Sequence, residues 1–159
     1  VTAMSRICRN AEQQAAALRS HHRMDTVFER VDEAIAMATM YTANHLKVRA
    51  IAALTESGSS TLWMSRISSG IPIYALSTHE ATNRKVSLYR GVTPVDFPVI
   101  KPNDHALANK IAIDVMMEEG VVADGDLVII TKGDRSGVEG QTNIMKLMRV
   151  GEHIVPNEE

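Results

Sequence analysis

Ala50–Leu54 is a continuous apolar run of five residues, the length and character of a buried strand. Ile71–Leu76 and Leu127–Ile130 repeat it, Val92–Phe97 is a weaker version, and Ile144–Val150 is more polar, with Lys146 and Arg149. Helical patterns separate the first four. Leu62, Met64 and Ile67 predict a short helix closed by Gly70. Ser77-Thr78-His79-Glu80 reads as a capping box opening a helix to about Arg90, closed by Gly91. Asn103 is expected to cap a helix over Asp104–Glu119 that turns Leu107, Ala108, Ile111, Ala112, Val115 and Met116 inward before Gly120. Strands alternating with helices imply parallel pairing with helices on both faces. Pro94 and Pro98 mark an edge or a strand end at Val92–Phe97. Gly133–Asn143 has no amphipathic run for a crossover helix, so the last strand is expected to be antiparallel. The predicted fold is three-layer α/β/α with a mostly parallel five-stranded sheet.

Upstream, Met4, Ile7, Cys8, Ala11, Ala15 and Leu18 recur at helical spacing, predicting a helix over Val1–Leu18 with Cys8 on its buried stripe. A second helix is expected from the Thr26-Val27-Phe28-Glu29 capping box to about Asn44, with Val27, Val31, Ala34, Ile35 and Ala38 on one face. A boundary falls near Ser20–Asp25, and the main domain runs 19–150. The tail from Gly151 to Glu159 has little to bury and is expected to fray.

Composition narrows the function. With 159 residues, 45% hydrophobic and 23% charged, the chain can bury a real core. A net charge of -2 and 4% aromatics oppose a nucleic-acid partner, since neither a basic face nor stacking platforms are present. No run of about 18 apolar residues predicts a membrane span, and the N-terminus lacks a signal-peptide pattern. One cysteine excludes an internal disulfide, and a reducing, cytoplasmic setting is the simplest expectation. No histidine spacing suits a metal, and Ser65 and Ser68 lack a nucleophile elbow, so no catalytic set is expected.

Two segments carry binding chemistry. Thr55-Glu56-Ser57-Gly58-Ser59-Ser60-Thr61 places five hydroxyls in seven residues between a buried strand and a helix. Ligands of open α/β sheets bind at such strand ends, where helix amides suit a phosphate. The alternative is a helix start capped by its own solvated serines. No lysine completes a P-loop. The second segment begins Lys132-Gly133-Asp134-Arg135 and runs through Gly137 and Gly140 to Asn143. Its cations suit an anion and its glycines suit closure, though an ordinary hairpin loop would look similar.

Glu33-Ala34-Ile35-Ala36, Thr55-Glu56-Ser57-Gly58, Leu88-Tyr89-Arg90-Gly91-Val92 with Pro94, Gly125-Asp126 and Gly140-Gln141-Thr142-Asn143 together resemble the C-terminal domain of pyruvate kinase. They occur in that family's order and spacing, over residues 1 to about 150. The resemblance is to bacterial members activated by sugar monophosphates or AMP. It implies a regulatory domain of an enzyme that transfers phosphate from phosphoenolpyruvate to ADP, whose catalysis, Mg²⁺ and K⁺ belong to a separate barrel. No residue here matches those catalytic motifs, and the chain is expected to bind no cofactor itself. Val1–Glu12 resembles the helix leaving the barrel, so the chain is expected to be a fragment, inactive alone.

By the same resemblance, Thr55, Ser57 and Ser60 offer hydroxyls and Glu56, Gly58 and Ser59 offer amides to an effector phosphate. Lys132, Gly133, Asp134, Arg135, Gly137 and Gly140 belong to the effector loop. Glu56 stands where strong bisphosphate binders carry Lys or Thr. It would oppose a second phosphate by roughly 1 kcal/mol, which favours a monophosphate. The implied partners are a phosphorylated small molecule, the chain's own catalytic domain, and further copies forming a tetramer. Ile144, Met148 and Val150 are expected on the exposed edge between copies. A purely structural assembly domain with a vestigial phosphate loop is the alternative; a free-standing small enzyme is a third reading.

Overall fold

The computed structural model describes residues 1–14, 27–67, 69–99, 104–134 and 140–152. In chain order its elements are α1 (Thr2–Glu12), α2 (Val31–His45), β1 (Ala50–Leu54), α3 (Ser59–Ser65), β2 (Ile73–Ser77), α4 (Glu80–Val86), β3 (Val92–Asp96), α5 (His105–Glu118), β4 (Leu127–Gly133) and β5 (Thr142–Arg149). The sheet order is β3-β2-β1-β4-β5. β1 pairs in parallel with β2 and β4, and β2 with β3, while β4 and β5 run antiparallel. The apolar runs therefore form the central strands, and the proline-bearing strand is an edge.

Alternation along each strand builds two cores. Ile51, Ala53, Ile73, Ala75 and Ile129 meet Ala36, Met40 and Ala43 of α2, Met64 of α3 and Val86 of α4. Ala50, Ala52, Leu76, Val128, Ile130 and Met148 meet Ala112, Ile113 and Met116 of α5 on the other face. Each fully buried Ile, Met or Leu contributes about 1.5–3 kcal/mol. The expected layers and antiparallel last strand are present.

Several helix details differ. α2 starts at Val31, after Arg30, and its buried residues are Asp32, Ala36, Thr39, Met40 and Ala43. Val27 and Val31 are exposed. The helix is apolar on more than one side, and the sheet covers the side holding Met40. α3 ends at Ser65 with Arg66 as its C-cap, so Gly70 does not close it. α4 has no side-chain cap; Ser77 Oγ instead accepts the His79 N–H at 3.2 Å in a local turn. Asp104 caps α5, accepting the Leu107 N–H at 3.0 Å. Leu107 is exposed and Asn109 buried, a rotation of the expected stripe. Met148 on β5 and Val150 just beyond it are core residues, and Leu147 is the exposed apolar side chain of the strand.

Cys8 is exposed, as are Met4 and Ile7 on the same stripe of α1. The periodicity identified an apolar face, and no described part of this chain covers it. The expectations for Ala15–Leu18, Thr26, Ser68, Asn103 and the tail beyond Glu152 lie outside the described residues, as do Arg135 and Gly137.

Candidate functional site

From β1 the chain turns toward β2, and from β4 it turns the opposite way toward β5. The carboxyl ends of these adjacent parallel strands are thus a topological switch point, where open α/β sheets bind ligands. Both sequence-predicted loops emerge there. Leu54 and Ala53 end β1 beside Leu76 and Thr131.

The β1–α3 turn is held from α4. Thr82 Oγ1 donates to Glu56 O at 2.6 Å, and Lys85 Nζ donates to Ser57 O at 3.0 Å. Because a trans peptide opposes its C=O and N–H, drawing the Glu56 carbonyl toward α4 turns the Ser57 N–H the other way. Thr55 Oγ1 accepts the Gly58 N–H at 2.9 Å, keeping its own O–H to donate. The Gly58 amide is therefore engaged inside the turn. Gly58 has φ +78°, and a Cβ there would lie 2.7 Å from Val86 Cγ1, so no other residue fits this backbone without strain.

α3 begins unusually for so hydroxyl-rich a sequence: Gly58 is the N-cap and no side chain caps the helix. The first helical bond is Leu62 N–H to Gly58 O at 3.0 Å, which leaves the Ser59, Ser60 and Thr61 amides ahead of it. Thr61 Oγ1 instead donates to Gly58 O at 2.8 Å. Ser60 Oγ, like Thr39 Oγ1 and Thr131 Oγ1, is buried without a hydrogen-bond partner among the described residues. The Glu56 carboxylate meets His79 Nε2 at 2.8 Å, so it is drawn toward the start of α4.

Ser59 Oγ donates to Asp32 Oδ2 at 2.9 Å. Asp32 also accepts Arg30 Nε at 2.9 Å, Arg30 Nη2 at 2.8 Å and the Glu33 N–H at 3.1 Å. Burial by itself pushes the Asp32 carboxyl up, but the bonds from Arg30 and Ser59, the Arg30 charge and the Glu33 amide outweigh it. The carboxyl is held below its ordinary value. The same pairing raises Arg30. A Cβ at Gly140 would lie 3.1 Å from Arg30 Nη2 and 4.0 Å from Asp32 Oδ2, so the chain re-enters β5 directly against this pair.

The second loop is pinned at its stem. The Asp134 N–H donates to Asn143 Oδ1 at 3.1 Å, and Asn143 Nδ2 donates to Asp134 Oδ2 at 2.8 Å. Gly133 ends β4. Lys132 points elsewhere: its Nζ donates to Asn109 Oδ1 at 2.8 Å and His105 O at 3.1 Å, under α5 on the opposite face. Burial, and then the Lys146 charge, lower its pKa against the pull of Asp134. A separate cleft of about 210 Å³, lined by Met40, Ile67, Ile73 and Arg90 among others, lies at the amino ends of β2 and β3, away from both loops. Among the described residues no group of three or more His, Cys, Asp or Glu is placed to hold a metal ion, and no helix is long and apolar enough to cross a membrane.

A family model described as pyruvate kinase, alpha/beta domain, matches residues 33–148. The chain belongs to the pyruvate kinase α/β domain family. It is 47% identical over 151 residues to pyruvate kinase II of Salmonella typhimurium, covering 94% of this chain and 31% of that protein. Over the same length and shares it is 42% identical to a pyruvate kinase of Haemophilus influenzae. With a Staphylococcus aureus pyruvate kinase it shares 41% identity over 121 residues, 76% of this chain and 20% of that protein. The chain thus spans about a third of the first two relatives and less of the third.

Both loops of this pyruvate kinase α/β domain fall inside the matched span; Arg30 and Asp32 precede it. Neither residue is conspicuous in the sequence, where Arg30-x-Asp32 looks like a charged helix start. Lys132 was legible by alternation: Val128 and Ile130 face α5, and a period of two sends Lys132 the same way.

Proposed function

We propose that this chain is the effector-binding regulatory domain of a pyruvate kinase, the enzyme that converts phosphoenolpyruvate and ADP to pyruvate and ATP. Catalysis, with its Mg²⁺ and K⁺, belongs to another part of the cytoplasmic enzyme, and the effector is a sugar monophosphate or AMP. The observation carrying this reading is the meeting of the two loops: Gly140 stands against Arg30, Arg30 grips Asp32, and Asp32 holds Ser59. The hydroxyl-rich turn does not cap its own helix, which favours an external anion over a self-satisfied helix start. A phosphate at this switch point meets the Ser57, Ser59 and Ser60 amides and the Thr55 and Ser57 hydroxyls.

The domain also assembles the enzyme through β5, the outermost strand of the sheet, whose far edge pairs with no described residue. Coupling between effector and catalysis then requires different affinities for two quaternary states. Calorimetric titration with glucose 6-phosphate and AMP tests the reading. Saturable heat from either, weakened in Ser57→Ala and Ser60→Ala, is expected, with no phosphate transfer by the chain alone. No heat from any phosphate favours an assembly domain instead.

A further inference from the structure

We propose that Arg30, positioned by Asp32, is the cation that grips the phosphate at this site. The inference deepens the effector-binding reading and rests on it.

Sequence distance hides the arrangement. Arg30 lies before α2, outside the β1–α3 and β4–β5 loops. The fold nevertheless brings it to both: its guanidinium shares Asp32 with Ser59, and Gly140 abuts its Nη2. The Asp32 side chain is only 2% exposed, whereas that of Arg30 is 54% exposed. A buried carboxylate therefore anchors a guanidinium whose other side reaches solvent. Two of its five N–H donors are used on Asp32. Among the described residues the others have no hydrogen-bond acceptor, and they can serve an incoming anion in the planar array that matches phosphate oxygens.

Asp32 does more than anchor. Its carboxylate is saturated by Arg30, Ser59 and the Glu33 amide. It ties the orientation of Arg30 to that of Ser59 at the start of α3. Other cations nearby are committed: Lys85 to the Ser57 carbonyl and Lys132 under α5. Arg30 is thus the described cation best placed for one phosphate. A Cβ on Gly140 would press on the guanidinium from the effector-loop side, and glycine leaves that room.

Calorimetric titration of the chain with glucose 6-phosphate, at about 0.05 M and about 0.3 M salt, tests this. Wild type, Arg30→Gln, Arg30→Lys and Asp32→Asn are compared, with an unfolding curve for each. Arg30→Gln is expected to weaken binding about tenfold or more and to flatten its salt dependence. Arg30→Lys keeps the charge without the fork and is expected to fall between. Asp32→Asn is expected to weaken binding while the salt dependence stays, because the cation remains but loses its orientation. Wild-type binding with Arg30→Gln or, should that variant not fold, Arg30→Lys unchanged in affinity and salt dependence overturns the role of Arg30 and leaves the effector reading standing. No wild-type binding overturns the effector reading itself, and this inference with it.

Discussion

Asp32 and Ser59 are 27 residues apart and joined by a 2.9 Å hydrogen bond from the serine hydroxyl to the carboxylate. That bond ties the first turn of α2 to the first residue of α3, across the carboxyl ends of the sheet. It makes Asp32 a structural residue as well as the anchor of Arg30, and it carries a pH dependence.

An unfolded aspartate titrates near 3.9, and Asp32 is held lower in the fold. Between the two values the unfolded chain binds more protons, so folding is favoured as pH rises. The contribution is whole above about pH 4 and drains away as pH falls through the folded value. Asp32→Asn is expected to cost about 1–3 kcal/mol at neutral pH. Denaturant unfolding at several pH values checks this: the gap between wild type and variant should close below about pH 4. A gap that widens on acidification contradicts it.

Gly58→Ala tests the geometry of the turn. The alanine would sit at φ +78° with its Cβ 2.7 Å from Val86 Cγ1, a side chain with no exposure. Left-handed strain costs about 1–2 kcal/mol, and displacing a packed core residue adds about 1–3. A loss of about 2–5 kcal/mol in chemical denaturation is expected, and a loss below about 0.5 kcal/mol would show that the turn is not held as described.

Lys132→Ala separates cation type from cation position. It strips the donor from Asn109 Oδ1 and His105 O under α5, which is expected to cost about 1–3 kcal/mol of stability. Effector affinity should change less than about twofold, since the amine lies on the opposite face. Paired denaturation and calorimetry distinguish this from a direct phosphate contact, for which affinity would collapse.

The strands were legible because a parallel sheet covered on both faces needs continuous apolar runs, and Ala50–Leu54 and Leu127–Ile130 are such runs. The register of α2 was not. Val31, Ala34, Ile35 and Ala38 make as good a stripe as Ala36, Met40 and Ala43, and only packing against Ile51 and Ile129 decides between them. α1 shows the same limit: Met4 and Ile7 define an apolar face, but periodicity carries no information about what lies opposite. At the site, the density of hydroxyls from Thr55 to Thr61 announced the turn. Arg30 and Asp32 stayed invisible because their meaning is a tertiary contact with Ser59 and Gly140. Glu56 was legible as a carboxylate, but not as one drawn aside by His79.

The most direct test is a nitrogen–proton correlation spectrum of the chain titrated with glucose 6-phosphate and, separately, AMP. Saturable shifts centred on the amides of Ser57, Ser59, Ser60 and Thr61 and on Arg30 Nε are expected with at least one of them. No shift with either, or shifts confined to the cleft beside Ile67, Ile73 and Arg90, would contradict a phosphate site at the end of β1.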